Sequence, residues 1–284
     1  LRELYAPIVA GTFRCPIHPE CRQDRAVPFL VTDLRSAELI KHASNAFLAL
    51  KISFANALAD VCERAGGDVL QVAEGVGLDK RIGRAFLNAG IGFGGSCFPK
   101  DVKAFVKIAE KSGYDFALLK EVDRINERRR DLVLEKLKQA LWILRGKRIG
   151  LLGLAFKPNT DDVRQAPALA IARCLRAEGA EVQGYDPQAA TKAKQALPEL
   201  TLCADPYAAA GQAEALVLCT EWAEFADLDW ARVKAQMVRP LILDGRNALD
   251  RERLVSLGFE YLGIGRNGAT GSEKPTWAVG HAPS

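Results

Sequence analysis

Arg148-Ile149-Gly150-Leu151-Leu152-Gly153-Leu154 decides the architecture. A short apolar run without polar alternation predicts a strand buried on both faces. The loop Ala155 to Arg164 leads into a helical stretch, Ala166–Glu178, which Gly179 stops. Glu181–Tyr185 then reads as a second strand. Strand, crossover helix and strand at this spacing form a βαβ unit. Further strand runs at Ala215–Thr220, Pro240–Asp244 and Phe259–Leu262 alternate with helical stretches. A Rossmann-like parallel α/β sheet is therefore expected in the second half of the chain.

Ligands on such sheets bind beyond the carboxyl ends of the strands. Phe156, Lys157, Asp186, Thr220, Glu221, Asp244, Gly245 and Arg246 stand there, and Lys157 and Arg246 are suited to phosphate. Gly150 to Gly153 lacks G-x-G-x-x-G spacing, which disfavours a dinucleotide on this sheet and leaves a mononucleotide-type ligand open. Gly263-Ile264-Gly265-Arg266-Asn267-Gly268 has the spacing, but no helix follows it. It reads as a turn before a tail at 267–284.

Working back, the first half is mostly helical. Ser36 to Arg64 is one long pattern, capped by Asp33 or Ser36 and stopped by Gly66-Gly67. It is apolar on more than one face, as suits a core or a subunit interface. Lys41 and Asn45, four apart, share a face. Shorter helices are expected at Asp68–Gly75, Lys80–Asn88 and Pro99–Ser112. Tyr114 to Arg145 reads as a long charged spacer helix, with Arg128-Arg129-Arg130 as a solvated face. Leu1 to Ala10 reads as a helix end and Val27 to Thr32 as a short strand. Between them, Cys15, His18 and Cys21 offer three ligands where structural zinc takes four, so a proline-stiffened loop and no metal are expected.

Gly90-Ile91-Gly92-Phe93-Gly94-Gly95-Ser96-Cys97-Phe98-Pro99-Lys100-Asp101 carries the chemistry. Glycines allow close approach of backbone to a ligand, and Pro99 suits the first turn of a helix. Cys97 would then sit at the positive end of a helix dipole beside Lys100, a setting that activates a thiol. Asp101 falls one turn on, on the same face. The G-x-G-x-x-G match at Gly90, Gly92 and Gly95 is not a Rossmann signal, because no buried strand precedes it.

The 284 residues bound the rest: 49% are apolar and 26% charged, as in soluble globular proteins, and the net charge of +4 gives no case for nucleic acid. No stretch reads as apolar and charge-free enough to span a bilayer, and the N-terminus is not a signal peptide. Seven cysteines without a disulfide framework suit a reducing cytoplasm. The chain opens at Leu1, and its one methionine is Met237, so the sequence reads as the continuation of something longer.

Several separate motifs, in order, resemble the UDP-glucose/GDP-mannose dehydrogenase family. They are Ala37-Glu38-Leu39-Ile40-Lys41 through Asn45-Ala46-Phe47-Leu48-Ala49, Lys51-Ile52-Ser53-Phe54-Ala55-Asn56, the Gly92–Asp101 loop, Phe156-Lys157-Pro158-Asn159-Thr160-Asp161-Asp162-Val163-Arg164, and Asp244-Gly245-Arg246. Ser96 before Cys97, with Phe98-Pro99-Lys100-Asp101 after it, looks like the UDP-glucose branch, and GDP-mannose is the next substrate class.

The resemblance implies two successive oxidations of a sugar C6 alcohol to a carboxylate with two NAD. By the same resemblance, Cys97 attacks the intermediate aldehyde, Lys41 and Asn45 steady the reacting oxygen, and Asp101 serves water. Arg81, Phe86, Leu87, Asn88, Ile91, Phe93, Gly94, Phe156, Lys157 and Arg246 are implied to hold the UDP-sugar, and Lys100 and Arg164 to touch NAD. A homodimer through the 36–64 helix is expected. The expected organisation is a remnant of an NAD-binding domain at 1–32, a helical catalytic and dimerisation domain at 33–146, a UDP-binding α/β domain at 147–266, and the tail. The family's first strand with G-x-G-x-x-G, and its later glutamate, are not found here. Hydride transfer by this chain alone is therefore not expected. The competing readings are a non-catalytic nucleotide-sugar-binding or dimerisation module, and a cysteine hydrolase with His18 or His42 as base.

Overall fold

The computed structural model describes residues 1–13, 17 and 27–266. Cys15, His18 and Cys21, and the tail, lie outside the described residues. The chain divides into two compact units, Leu1–Lys41 and His42–Ser284.

In the first unit, α1 (Arg2–Val9) lays Tyr5 against Phe29, with ring centroids 6.5 Å apart. Val27 to Thr32 is not the strand expected from its β-branched residues. Val27 donates its N–H to the Val9 carbonyl at 2.9 Å, but no ladder follows, and a strand requires a neighbour to pair with. α2 (Leu34–Ala65) starts here, where Asp33 accepts the Ser36 N–H at 3.0 Å, and runs on into the second unit.

The second unit continues with α3 (Val69–Gly77), which Asp68 caps through the Leu70 N–H. The helix expected at Lys80–Asn88 is instead a series of turns. Asp79 takes the Arg81 N–H on its side chain and the Gly83 N–H on its carbonyl, and left-handed backbone at Gly83 and Phe86 ends any helical run. α4 (Phe98–Lys111) and α5 (Ala117–Leu141) follow.

The sheet region runs β1 (Arg148–Leu152), α6 (Pro167–Ala177), β2 (Glu181–Tyr185), α7 (Ala190–Ala196), β3 (Thr201–Leu202), α8 (Pro206–Ala210), β4 (Ala215–Leu218), α9 (Ala223–Ala226), α10 (Trp230–Gln236), β5 (Leu241–Asp244), α11 (Arg251–Ser256) and β6 (Glu260–Gly263). The two-residue β3 was too short to show a sequence pattern. Strand order among the described residues is β3-β2-β1-β4-β5-β6, all parallel. The order reverses between β1 and β4, and ligands favour the crevice at such a switch point. Val133 and Leu137 of α5 and Ile171 and Leu175 of α6 pack with Ile149 and Leu151 on one face. Phe225 and Trp230 pack with Leu152 and Leu216 on the other. Each such side chain contributes about 1.5–3 kcal/mol by leaving water.

Two further expectations need correction. Arg129 does not belong to a solvated face: it is 2% exposed and ion-paired to Asp60 at 2.6 Å. Among the described residues, α2 is long and apolar enough to cross a membrane by length and composition, whereas no such stretch was expected. Its Ala46, Ala49, Ala55, Ala59 and Cys62 are nonetheless buried within the protein.

Candidate functional site

The glycine loop at 90–95 docks on the carboxyl ends of the strands, at the switch point. Ile91 donates its N–H to the Gly245 carbonyl after β5 at 3.0 Å, and Gly95 to the Arg164 carbonyl in the β1–α6 loop at 2.8 Å. A Cβ on Gly94 would stand 2.2 Å from the Gln165 oxygen. On Gly95, at φ +82, it would stand 2.7 Å from the Phe156 ring. Only glycine permits that approach.

Cys97 caps α4 with its side chain exposed, and Pro99 lies in the helix's first turn. The Ser96 hydroxyl is 3.8 Å from its sulfur. Asp162 holds the Arg164 guanidinium above its ordinary value through hydrogen bonds at 2.7 to 3.1 Å. One turn into α4, Asp101 donates its N–H to the Cys97 carbonyl at 2.8 Å. Its carboxylate is fully buried. Asn45 Nδ2 of α2 donates to Oδ2 at 2.5 Å, and Lys100 Nζ lies 3.5 Å from Oδ1. His42 Nδ1 of α2 lies 3.9 Å from Oδ1, so it too faces this carboxylate. Lys41 is on the same helix one turn before Asn45, as the last residue of the first unit.

The remaining candidates scatter around this centre. Phe86, at φ +65, stands partly exposed with its ring 6.2 Å from that of Phe98. Leu87, Ile91 and Phe93 have buried side chains, and the Ile91 N–H and both backbone groups of Phe93 are already hydrogen-bonded within the protein, so these three residues shape the loop. Asn88 accepts from Arg84 at 2.7 Å, and exposed Arg81 is tied to Asp79 at 2.6 Å. Lys157 is exposed, with its ammonium 5.4 Å over the Phe156 ring. Arg246 is less available than expected. It donates to the Cys219 carbonyl at 2.7 Å and to the Gly92 carbonyl at 2.9 Å, anchoring the loop. A cleft of about 400 Å³ opens beside Phe93, Pro99, Lys103, Arg164, Pro167 and Arg173.

The first βα turn does not fit a dinucleotide. The Leu154 and Ala155 N–H groups, at the position that receives pyrophosphate in such folds, already donate to Asp186 Oδ2 at 2.7 and 2.9 Å. Lys100 and Arg164 remain exposed cations.

Sequence reasoning missed the loop's buried supports. Asn56 Oδ1 accepts the Gly90 N–H at 2.8 Å, and Arg129 Nε donates to the Gly90 carbonyl at 3.2 Å. Asn126 accepts the Phe93 N–H at 2.8 Å and donates to its carbonyl at 3.1 Å. The available signal was polar residues standing on helix faces that are otherwise apolar.

The family model described as UDP-glucose/GDP-mannose dehydrogenase family, central domain, matches residues 35–128, and that for the family's UDP binding domain matches 150–251. UDP-glucose 6-dehydrogenase TuaD of Bacillus subtilis is 48% identical over 255 residues, which cover 89% of this chain and 55% of that protein. UDP-glucose 6-dehydrogenase of Pseudomonas aeruginosa is 43% identical over 275 residues, covering 94% and 57%. The solved UDP-glucose dehydrogenase of Pyrobaculum islandicum superposes with a TM-score of 0.78 at 40% identity, over 93% of this chain and 57% of that one. The chain thus spans little more than half the length of these relatives.

Proposed function

This chain belongs to the UDP-glucose/GDP-mannose dehydrogenase family, and from that membership we propose that it carries the sugar-binding and thiol chemistry of a UDP-glucose 6-dehydrogenase, converting UDP-glucose to UDP-glucuronate. The observation that carries this reading is the exposed Cys97 at the mouth of α4, one turn from buried Asp101 and its half-buried partner Asn45, on a glycine loop seated at the sheet's switch point.

In this reading UDP lies along residues 86–95, with Phe156 and Lys157 against it and Arg81 reaching it from a second copy. Arg246 acts chiefly by fixing the loop at Gly92. The Cys97 thiolate gives its electron pair to the carbonyl carbon of a C6 aldehyde, and the π pair moves to oxygen. Asn45 and Lys41 supply the donors that steady this oxyanion. Loss of a hydride from the resulting thiohemiacetal leaves a thioester on Cys97, and Asp101, held by Asn45, orients the water that hydrolyses it, freeing the carboxylate and the thiol. NAD would accept the hydrides. The turn after β1 does not cradle it, and Lys100 and Arg164 are the contacts this chain offers.

The finer proposal is a homodimer through the 36–64 helix in a reducing cytoplasm. Phe47, Phe54 and Val61, seven residues apart, stand 61%, 54% and 59% exposed on α2, a stripe suited to a helix partner. Cys62, Cys97, Cys174, Cys203 and Cys219 are all free thiols. Titration calorimetry tests the substrate reading: UDP-glucose is expected to bind and free glucose to give no heat. Equal behaviour of the two sugars would overturn it.

A further inference from the structure

Side chains from two helices hold the backbone of the glycine loop. Gly90 is gripped on both sides, its N–H by Asn56 of α2 and its carbonyl by Arg129 of α5. Phe93 is gripped on both sides by the single side chain of Asn126, also on α5. Between them the Gly92 carbonyl takes Arg246 Nη1 and the Ile91 N–H goes to Gly245. The loop lies in no helix or sheet, so these side chains stand in for the regular pairing it lacks.

The arrangement is not what stability alone would select. Arg129 is a buried cation, and its Nη2 and the Nδ2 of fully buried Asn56 have no hydrogen-bond partner. Burying donors without acceptors costs free energy, and apolar residues on the same faces of α2 and α5 would avoid that cost. The cost is accepted where backbone geometry must be fixed. Residues 90–93 lead directly to Gly94 and Gly95, whose positions against Gln165 and Phe156 leave no slack, and from there to Cys97. α5 also packs on α6 of the sheet region, so Asn126 and Arg129 fix the loop relative to both walls of the site.

We propose that Asn126, with Arg129 and Asn56, is a positioning residue for substrate, setting the backbone of residues 90–95 in the shape that receives the nucleotide sugar. This rests on the reading of the site given above. None of the three side chains touches the reacting atoms; they act through the loop.

Asn126→Ala is the decisive variant, because alanine suits a helix and the side chain is only partly buried. Two measurements on the same chain separate the claims. Hydrogen–deuterium exchange is expected to quicken in the peptide covering 90–97 and to stay unchanged in that covering 148–155. UDP-glucose affinity by calorimetry is expected to fall about tenfold, the size of a lost pair of backbone anchors. Arg128→Ala, on the exposed neighbour, should move neither. Unchanged exchange at 90–97 overturns the proposal, and quickened exchange with unaltered affinity overturns the role in binding. If the parent chain binds no UDP-glucose, the functional reading and the substrate role fall together, while exchange still decides whether Asn126 fixes the loop.

Discussion

The side-chain amide of Asn45 donates to the carboxylate of Asp101 at 2.5 Å, joining α2 to α4 beneath the cysteine. Asp101 is fully buried, so bulk solvent screens the pair little. Asn45→Ala should lower unfolding stability by about 2 kcal/mol, the usual worth of a hydrogen bond to a charged group. Asn45→Asp should cost more at neutral pH, because two carboxylates would then share one site. One of them would be held protonated in the fold, so stability should recover as pH falls. Urea titrations at pH 5 and pH 7.5 read both effects; equal stability of the two variants at both pH values would contradict the pairing.

Gly95→Ala should destabilise the loop through both packing and backbone strain. The added carbon meets the Phe156 ring at 2.7 Å, and the residue sits at φ +82, where side chains are strained. Overpacking and backbone strain together predict a loss of about 2–4 kcal/mol, visible as a lower urea midpoint. Gly113→Ala is a useful contrast: its φ is +77 but nothing lies near its Cβ, so it should cost only the smaller backbone part.

Burial pushes the Asp244 carboxyl above its ordinary value, although the Leu249 N–H, the Tyr261 hydroxyl and the Arg246 N–H all donate to it. Its native state therefore binds the proton more readily than its unfolded state. The sign follows: its contribution to stability is full below pH 3.8 and is lost as pH rises through its higher native value. The stability of the wild type relative to Asp244→Asn should thus be greater at pH 4 than at pH 7. A difference that does not change with pH would contradict the assignment.

The exposed α2 stripe predicts self-association. Phe47→Glu combined with Phe54→Glu should halve the mass measured by sedimentation while leaving the circular dichroism unchanged, because neither side chain belongs to the core. An unaltered mass would place any interface elsewhere.

Much of this fold was legible because its signals are local. The apolar run of β1, the glycine stops and the long period of α2 each follow from the chemistry of a few adjacent residues. Val27–Thr32 and Lys80–Asn88 misled because their propensities were overruled, the first by the lack of a pairing neighbour and the second by the Asp79 turn and the left-handed Phe86. The loop at 90–101 stood out by its glycines, its cysteine and its proline. Its supports did not, since Asn56, Asn126 and Arg129 reach it from 34, 33 and 39 residues away and a helix pattern does not show which polar residue faces inward. Arg246 was expected among the ligand contacts, yet part of its hydrogen-bonding capacity is spent on Gly92 and Cys219.

The most direct test is the rate at which iodoacetamide alkylates Cys97, followed by mass spectrometry with and without UDP-glucose. UDP-glucose should strongly slow labelling of Cys97 and leave Cys174 and Cys203 unaffected, while free glucose should protect none of them. Labelling of Cys97 that ignores UDP-glucose would contradict the placement of a sugar carbon beside this sulfur.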